Sequence, residues 1–133
     1  MNPRSWGLTV LRAVIGIIFL AHGAQKLFVY GLGGVSHMFA SMGIPSFLAP
    51  IVAGVEFLGG IALVLGILTR GAAVLLAIDM SCAIFIVHLK NGFFNPKGFE
   101  FPLSLLAACV ALAISGPGAV ALDRLVSGRV RNS

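Results

Sequence analysis

The sequence predicts an all-α membrane protein, a four-transmembrane-helix bundle with its N and C termini cytoplasmic. Three observations predict it: 59% of the 133 residues are apolar against 10% charged, the charges gather at a few places with long apolar stretches between them, and helix breakers fall between those stretches. A soluble domain this small must present a largely polar surface, so lipid is the natural solvent. The length fits a single domain, residues 1–133.

The spans run from about 8–30, 47–68, 71–89 and 99–115. At ~1.5 Å per residue they reach roughly 25 to 35 Å, enough for a hydrocarbon core of ~30 Å. The first run continues to Tyr30 and carries His22, Gln25 and Lys26, which separates it from a secretory signal. Gly31, Gly33, Gly34 and Pro45 mark the first connection as a loop. Thr69-Arg70-Gly71 is so tight a turn that spans two and three are antiparallel neighbours, and Asn91 to Pro96 form the third connection. Pro102 sits in the first turn of span four, where its missing N–H costs little. Gly116-Pro117-Gly118 ends that span and sends a short tail into the interface. Small residues spaced by four, Ala62 and Gly66 in span two and Ala73, Ala77 and Ser81 in span three, let helices approach closely.

Orientation follows from the basic residues. Arg4, Arg12, Arg70, Arg124, Arg129 and Arg131 fall on one side and Lys26, Lys90 and Lys97 on the other, so the arginine side is cytoplasmic. Arg12, one turn inside its span, is expected to snorkel back to that interface. The net charge of +5 is spent on topology; no basic helix face or aromatic-interleaved patch suits nucleic acid. Cys82 and Cys109 lack metal or redox spacing and read as small packing residues, so no metal site is expected.

An ionisable group at bilayer depth costs on the order of 2.5 to 3.5 kcal/mol, so each one needs a partner or a purpose. Counted from the span midpoints, Glu56 lies about 2 Å outward, Asp79 about 2 Å inward, His22 about 4 to 5 Å outward and Lys26 about 10 Å outward. His22 and Lys26 are four apart and share a helix face, from which the lysine stem reaches down toward Glu56. The Glu56 face carries Ala49, Ala53, Gly59 and Gly60, which leaves room for another helix or a ligand head group. One reading is a cluster of His22, Lys26 and Glu56 that binds a small polar head group and moves protons as that group is reduced or oxidised. The other is a buried ion pair that fixes helix register. Asp79 joins the cluster if its face turns inward; a neutral aspartic acid is the alternative. Bis-histidine haem is set aside because His88 counts several ångströms further out than His22. The loop from Asn91 to Glu100, rich in Phe and amides, serves as a lid or as an aromatic belt. An echo of the His22 segment at His88-Leu89-Lys90-Asn91-Gly92-Phe93 falls short of a repeat.

Taken together, His22-Gly23-Ala24-Gln25-Lys26-Leu27-Phe28, Gly54-Val55-Glu56-Phe57-Leu58-Gly59-Gly60, Gly66 through Arg70, Asn91-Gly92-Phe93-Phe94, Gly98-Phe99-Glu100-Phe101-Pro102 and Gly116-Pro117-Gly118 resemble the DoxX family of small bacterial membrane proteins over nearly the whole chain. The resemblance implies a four-helix protein of the bacterial inner (plasma) membrane, with quinone-linked or thiol-linked redox work and soluble redox enzymes as partners. His22, Lys26, Glu56 and Glu100 match its polar motif. The leading expectation is therefore a redox-associated membrane subunit, with a quinone-linked oxidoreductase subunit as one form of it, whose outer-leaflet polar cavity binds a quinone or similar small aromatic head group. Glu56 and His22 are assigned to proton chemistry, and Lys26, Gln25, Glu100, Asp79 and Gly60 to binding. No covalent cofactor is implied; quinone is the ligand. The rival is a non-catalytic assembly or scaffold partner of soluble redox enzymes, a homo-oligomer, or a small-solute transporter.

Overall fold

The computed structural model describes residues 3–94 and 96–125, so Asn95, Arg129 and Arg131 lie outside the described part. All regular structure among the described residues is helical. Helix α1 (Pro3–Ala24) runs on through a π-turn, Gln25–Val29; α2 is Gly31–Ser41; α3 is Leu48–Leu65. Helix α4 (Thr69–Ala83) runs on through a π-turn, Ile84–His88, and a 3₁₀ turn, Leu89–Asn91; α5 is Glu100–Ser115. Three runs, Pro3–Val29, Leu48–Leu65 and Thr69–Asn91, are long and apolar enough to cross a membrane, and Glu100–Ser115 is a shorter apolar helix.

Phe19, Leu63, Ala73, Leu76, Cys109 and Leu112 are almost wholly buried where α1, α3, α4 and α5 meet. Large apolar side chains face outward instead of polar ones, as with Val10, Val14 and Ile17 along α1 and Leu58 on α3. A surface of that kind is stable against hydrocarbon and not against water. Cys82 is exposed and Cys109 lies in the core, both as free thiols.

The tightest helix contact joins α1 to α3. A Cβ added to Gly60 would lie 2.3 Å from the Leu20 backbone N, and one added to Gly23 would lie 2.4 Å from that of Phe57. Glycine lets the two backbones touch, the general route to helix association in lipid. The room expected beside Glu56 at Gly60 is thus filled by α1. Gly66 does not extend a helix–helix stripe either: it caps α3 in the left-handed conformation at φ +72, with Ala121 and Arg12 crowded against it.

Two sequence expectations need correction. The first connection is not a loop, because Gly31–Ser41 forms α2. Gly31 turns the chain at φ +73, and Val35, 1% exposed, seats the new helix on α3. Arg12 does not snorkel: it is 3% exposed. Its guanidinium donates to the carbonyls of Leu63 (2.5 Å), Val64 (3.1 Å), Pro117 (2.9 Å) and Val120. The first two lie in the last turn of α3, where the Leu63 carbonyl also accepts from the capping Gly66 N–H (3.2 Å), and the others belong to the tail after α5.

That tail folds back beneath the bundle rather than lying free. Thr9 Oγ1 accepts from the Ala119 N–H (2.8 Å), and Ser5 O accepts from the same group (2.9 Å), so the start of α1 and the tail share one end of the molecule. Asp123 accepts from the N–H groups of Leu68 (2.7 Å) and Thr69 (2.9 Å), capping α4 from a distance. Burial pushes the Asp123 carboxyl up, but the donors at Thr69 and Leu68 and the nearby Arg12 charge hold it below the usual range.

Candidate functional site

Lys26 sits in the π-turn that continues α1 beyond Ala24, where the Tyr30 N–H bonds the Gln25 carbonyl (2.9 Å) across an extra residue. The turn re-aims the lysine relative to an uninterrupted α-helix, and such turns recur at functional sites. Its ammonium reaches Glu56 on α3 with both contacts in hydrogen-bond range, 2.8 Å to Oε1 and 2.7 Å to Oε2. Glu56 is 3% exposed. The pair ties together the two helices that already touch most closely.

Asp79 on α4 stands against this pair, with its carboxyl beside that of Glu56 and within electrostatic reach of Lys26. Its Oδ2 is buried and has no hydrogen-bond partner among the described residues. The inward-turned arrangement is therefore the one adopted. Two carboxyl groups thus stand side by side, and the Lys26 ammonium is ion-paired with that of Glu56.

A cavity of about 310 Å³ opens beside the cluster, at the lower end of the ~300 to 1,000 Å³ typical of ligand sites. Its polar wall is His22, Lys26, Glu56 and His88. Its apolar wall is Phe19, Met80, Ala83, Phe101, Pro102 and Leu105, with Pro96 and Gly98 contributed by the α4–α5 connection. The His22 ring lies 6.1 Å from that of Phe101 and makes no hydrogen bond to another described residue. His88 donates from Nδ1 to the Lys97 carbonyl (3.1 Å), since a carbonyl only accepts.

The other expected site residues lie elsewhere. Gln25 is exposed and donates to the Tyr30 hydroxyl (3.1 Å) rather than into the cavity. Gly60 serves the α1–α3 contact. Glu100 stands in the first turn of α5, next to the cavity-lining Phe101 but outside the lining itself. The α4–α5 connection covers the site through Pro96 and Gly98, while Phe93 packs edge-on against Phe94 and Phe99 at centroid separations of 5.3 Å. Sequence counting missed His88 as a wall of the same cavity as His22. The depth count assumed uninterrupted α-helix, whereas α1 and α4 both enter π-turns at their outer ends. The echo between the His22 and His88 segments was the available signal. Among the described residues no group of three or more His, Cys, Asp or Glu gathers in a metal-binding arrangement.

Fold and site define a helical integral membrane protein with a mostly apolar cavity beside a buried Lys26–Glu56 ion pair. The chain belongs to the DoxX family, whose profile matches residues 7–89. It is 38% identical over 120 residues to "Putative oxidoreductase CatD" of Bacillus subtilis, covering 90% of this chain and 87% of that protein. It is 34% identical over 123 residues to inner membrane protein YqjF of Escherichia coli, covering 91% of this chain and 92% of that one. Membrane protein Rv3486 of Mycobacterium tuberculosis is 38% identical over 132 residues, covering 90% and 80%. No solved structure matches the chain.

Proposed function

We propose that the protein is a redox-associated subunit of the bacterial plasma membrane that binds a quinone or similar aromatic head group in the cavity between α1, α3, α4 and α5. The observation that carries this reading is a His22 imidazole, bonded to no other described residue, facing the same cavity as the bidentate Lys26–Glu56 pair. Flat apolar walls at Phe19 and Phe101 suit a ring, and the imidazole and ammonium suit its oxygens. Reduction of a quinone to a hydroquinone takes up two electrons and two protons. The two protons come from water and reach the ring oxygens by way of His22 and the Asp79–Glu56 carboxyl pair, and oxidation returns them by the same route. The electrons come from a partner of the reductase class, since no residue here carries them. The name of the B. subtilis relative supports an oxidoreductase role.

Equilibrium binding of a fully substituted, tail-less benzoquinone to the protein in lipid nanodiscs tests the proposal. The wild type binds it, and Glu56→Gln weakens binding at least about tenfold, the equivalent of ~1.4 kcal/mol. Wild-type protein that takes up no more quinone than empty nanodiscs refutes it. A second reading, in which the pair only fixes helix register, is favoured by the Lys26–Glu56 bridge spanning the α1–α3 contact. It predicts a stability loss in Glu56→Gln and no quinone uptake in the wild type.

A further inference from the structure

A second concavity adjoins the first. It is an open groove of about 450 Å³ on the outward face of α1, lined by Ala21, His22, Ala24, Gln25, Phe28 and Val29. His22 is the one residue shared by the linings of groove and cavity. The small side chains at Ala21 and Ala24 leave the hollow. Phe28, 74% exposed, forms its wall with its ring held edge-on against Phe57 at 5.9 Å.

Resting on the head-group reading above, we propose that this groove holds the apolar chain of the same ligand. The ligand is then a chain-bearing aromatic dissolved in the bilayer, and it enters the cavity sideways past His22. Bare apolar chains already surround the groove, so a purely apolar occupant gains little there. A polar group on a lipid-facing wall is costly unless it is partnered. Gln25 meets that requirement through Tyr30, whereas the His22 imidazole bonds no other described residue. A ligand with an apolar chain and a ring oxygen at its head satisfies both hollows at once: the chain follows Ala21 and Ala24, and the oxygen meets the imidazole where the hollows join. An ordinary acyl chain has no group for that junction.

Photolabelling of the full chain in nanodiscs tests this, using a fully substituted benzoquinone whose alkyl tail carries a diazirine and, as competitor, the same quinone without a tail. Adducts concentrate several-fold on residues 21–29 over the other lipid-facing segments, the competitor removes them, and Ala21→Phe, which fills the groove, lowers them several-fold. Should that variant fail to fold, the wild-type adduct map still decides the matter. Competitor-sensitive adducts spread evenly over α3, α4 and α5 overturn the groove and leave the head-group site standing. Labelling of residues 21–29 by a diazirine phospholipid to the same extent, insensitive to the competitor, makes the groove a general acyl-chain surface and overturns the proposal. Absence of competitor-sensitive labelling anywhere removes both readings.

Discussion

Glu56 and Lys26 form a pair in which each group tolerates hydrocarbon only because of the other, and the Asp79 carboxyl stands beside it. Glu56 is 3% exposed and both its oxygens are bonded by one ammonium. Removing one partner from a buried pair strands the other charge, at a cost of roughly 3 to 5 kcal/mol. Lys26→Met is therefore expected to destabilise the protein more than Glu56→Gln, since it strands the buried Glu56 carboxylate beside the Asp79 carboxyl. Thermal unfolding in detergent checks the order, and the double variant recovers part of the Lys26→Met loss. The pair was legible in the sequence because charge at that depth is expensive and the spacing of His22 and Lys26 puts them on one face. The placement of His88 was not, because its register depends on a π-turn that no residue type announces.

Among the elements, the end of the molecule that gathers the arginines is held by long-range polar contacts rather than by apolar packing. Arg12 gives its guanidinium to carbonyls of α3 and the tail, and Asp123 caps α4. Arg12→Met leaves several carbonyls without donors and is expected to cost on the order of 3 kcal/mol, measured by thermal unfolding. Asp123→Ala removes a cap, a loss of roughly 0.5 to 2 kcal/mol near neutral pH. The folded carboxyl titrates below its ordinary ~3.9, so its contribution is fully present above that value and fades as pH falls through the lower folded one. The gap between wild type and Asp123→Ala accordingly narrows below about pH 4; a gap unchanged down to pH 2 contradicts the cap. The four apolar runs were readable from hydropathy alone, with α5 ending at Ser115 as expected. α2 and the folded-back tail were not, because both depend on partners distant in sequence, Val35 on α3 and Asp123 on the α3–α4 turn.

For the whole molecule, burial is divided between two solvents. Apolar side chains face outward to lipid, and polar groups turn inward to a cavity or down to one end. The bonds joining Ser5 and Thr9 to Ala119 put the start of α1 and the tail at that end. With the arginine excess there, a reporter fused after Ser133 is expected to read cytoplasmic, and one inserted between Lys90 and Lys97 to read from the opposite side. A Ser133 reporter reading from the far side while the Lys90–Lys97 reporter reads cytoplasmic reverses the orientation, and identical readings break the pass count. The most direct test of the central claim is the density within the cavity of protein purified from its own membrane. A flat feature between His22 and Lys26, with the Glu56 carboxylate still paired to the ammonium, is the predicted result. A cavity holding only acyl chains, with Glu56 turned toward lipid and away from Lys26, contradicts it.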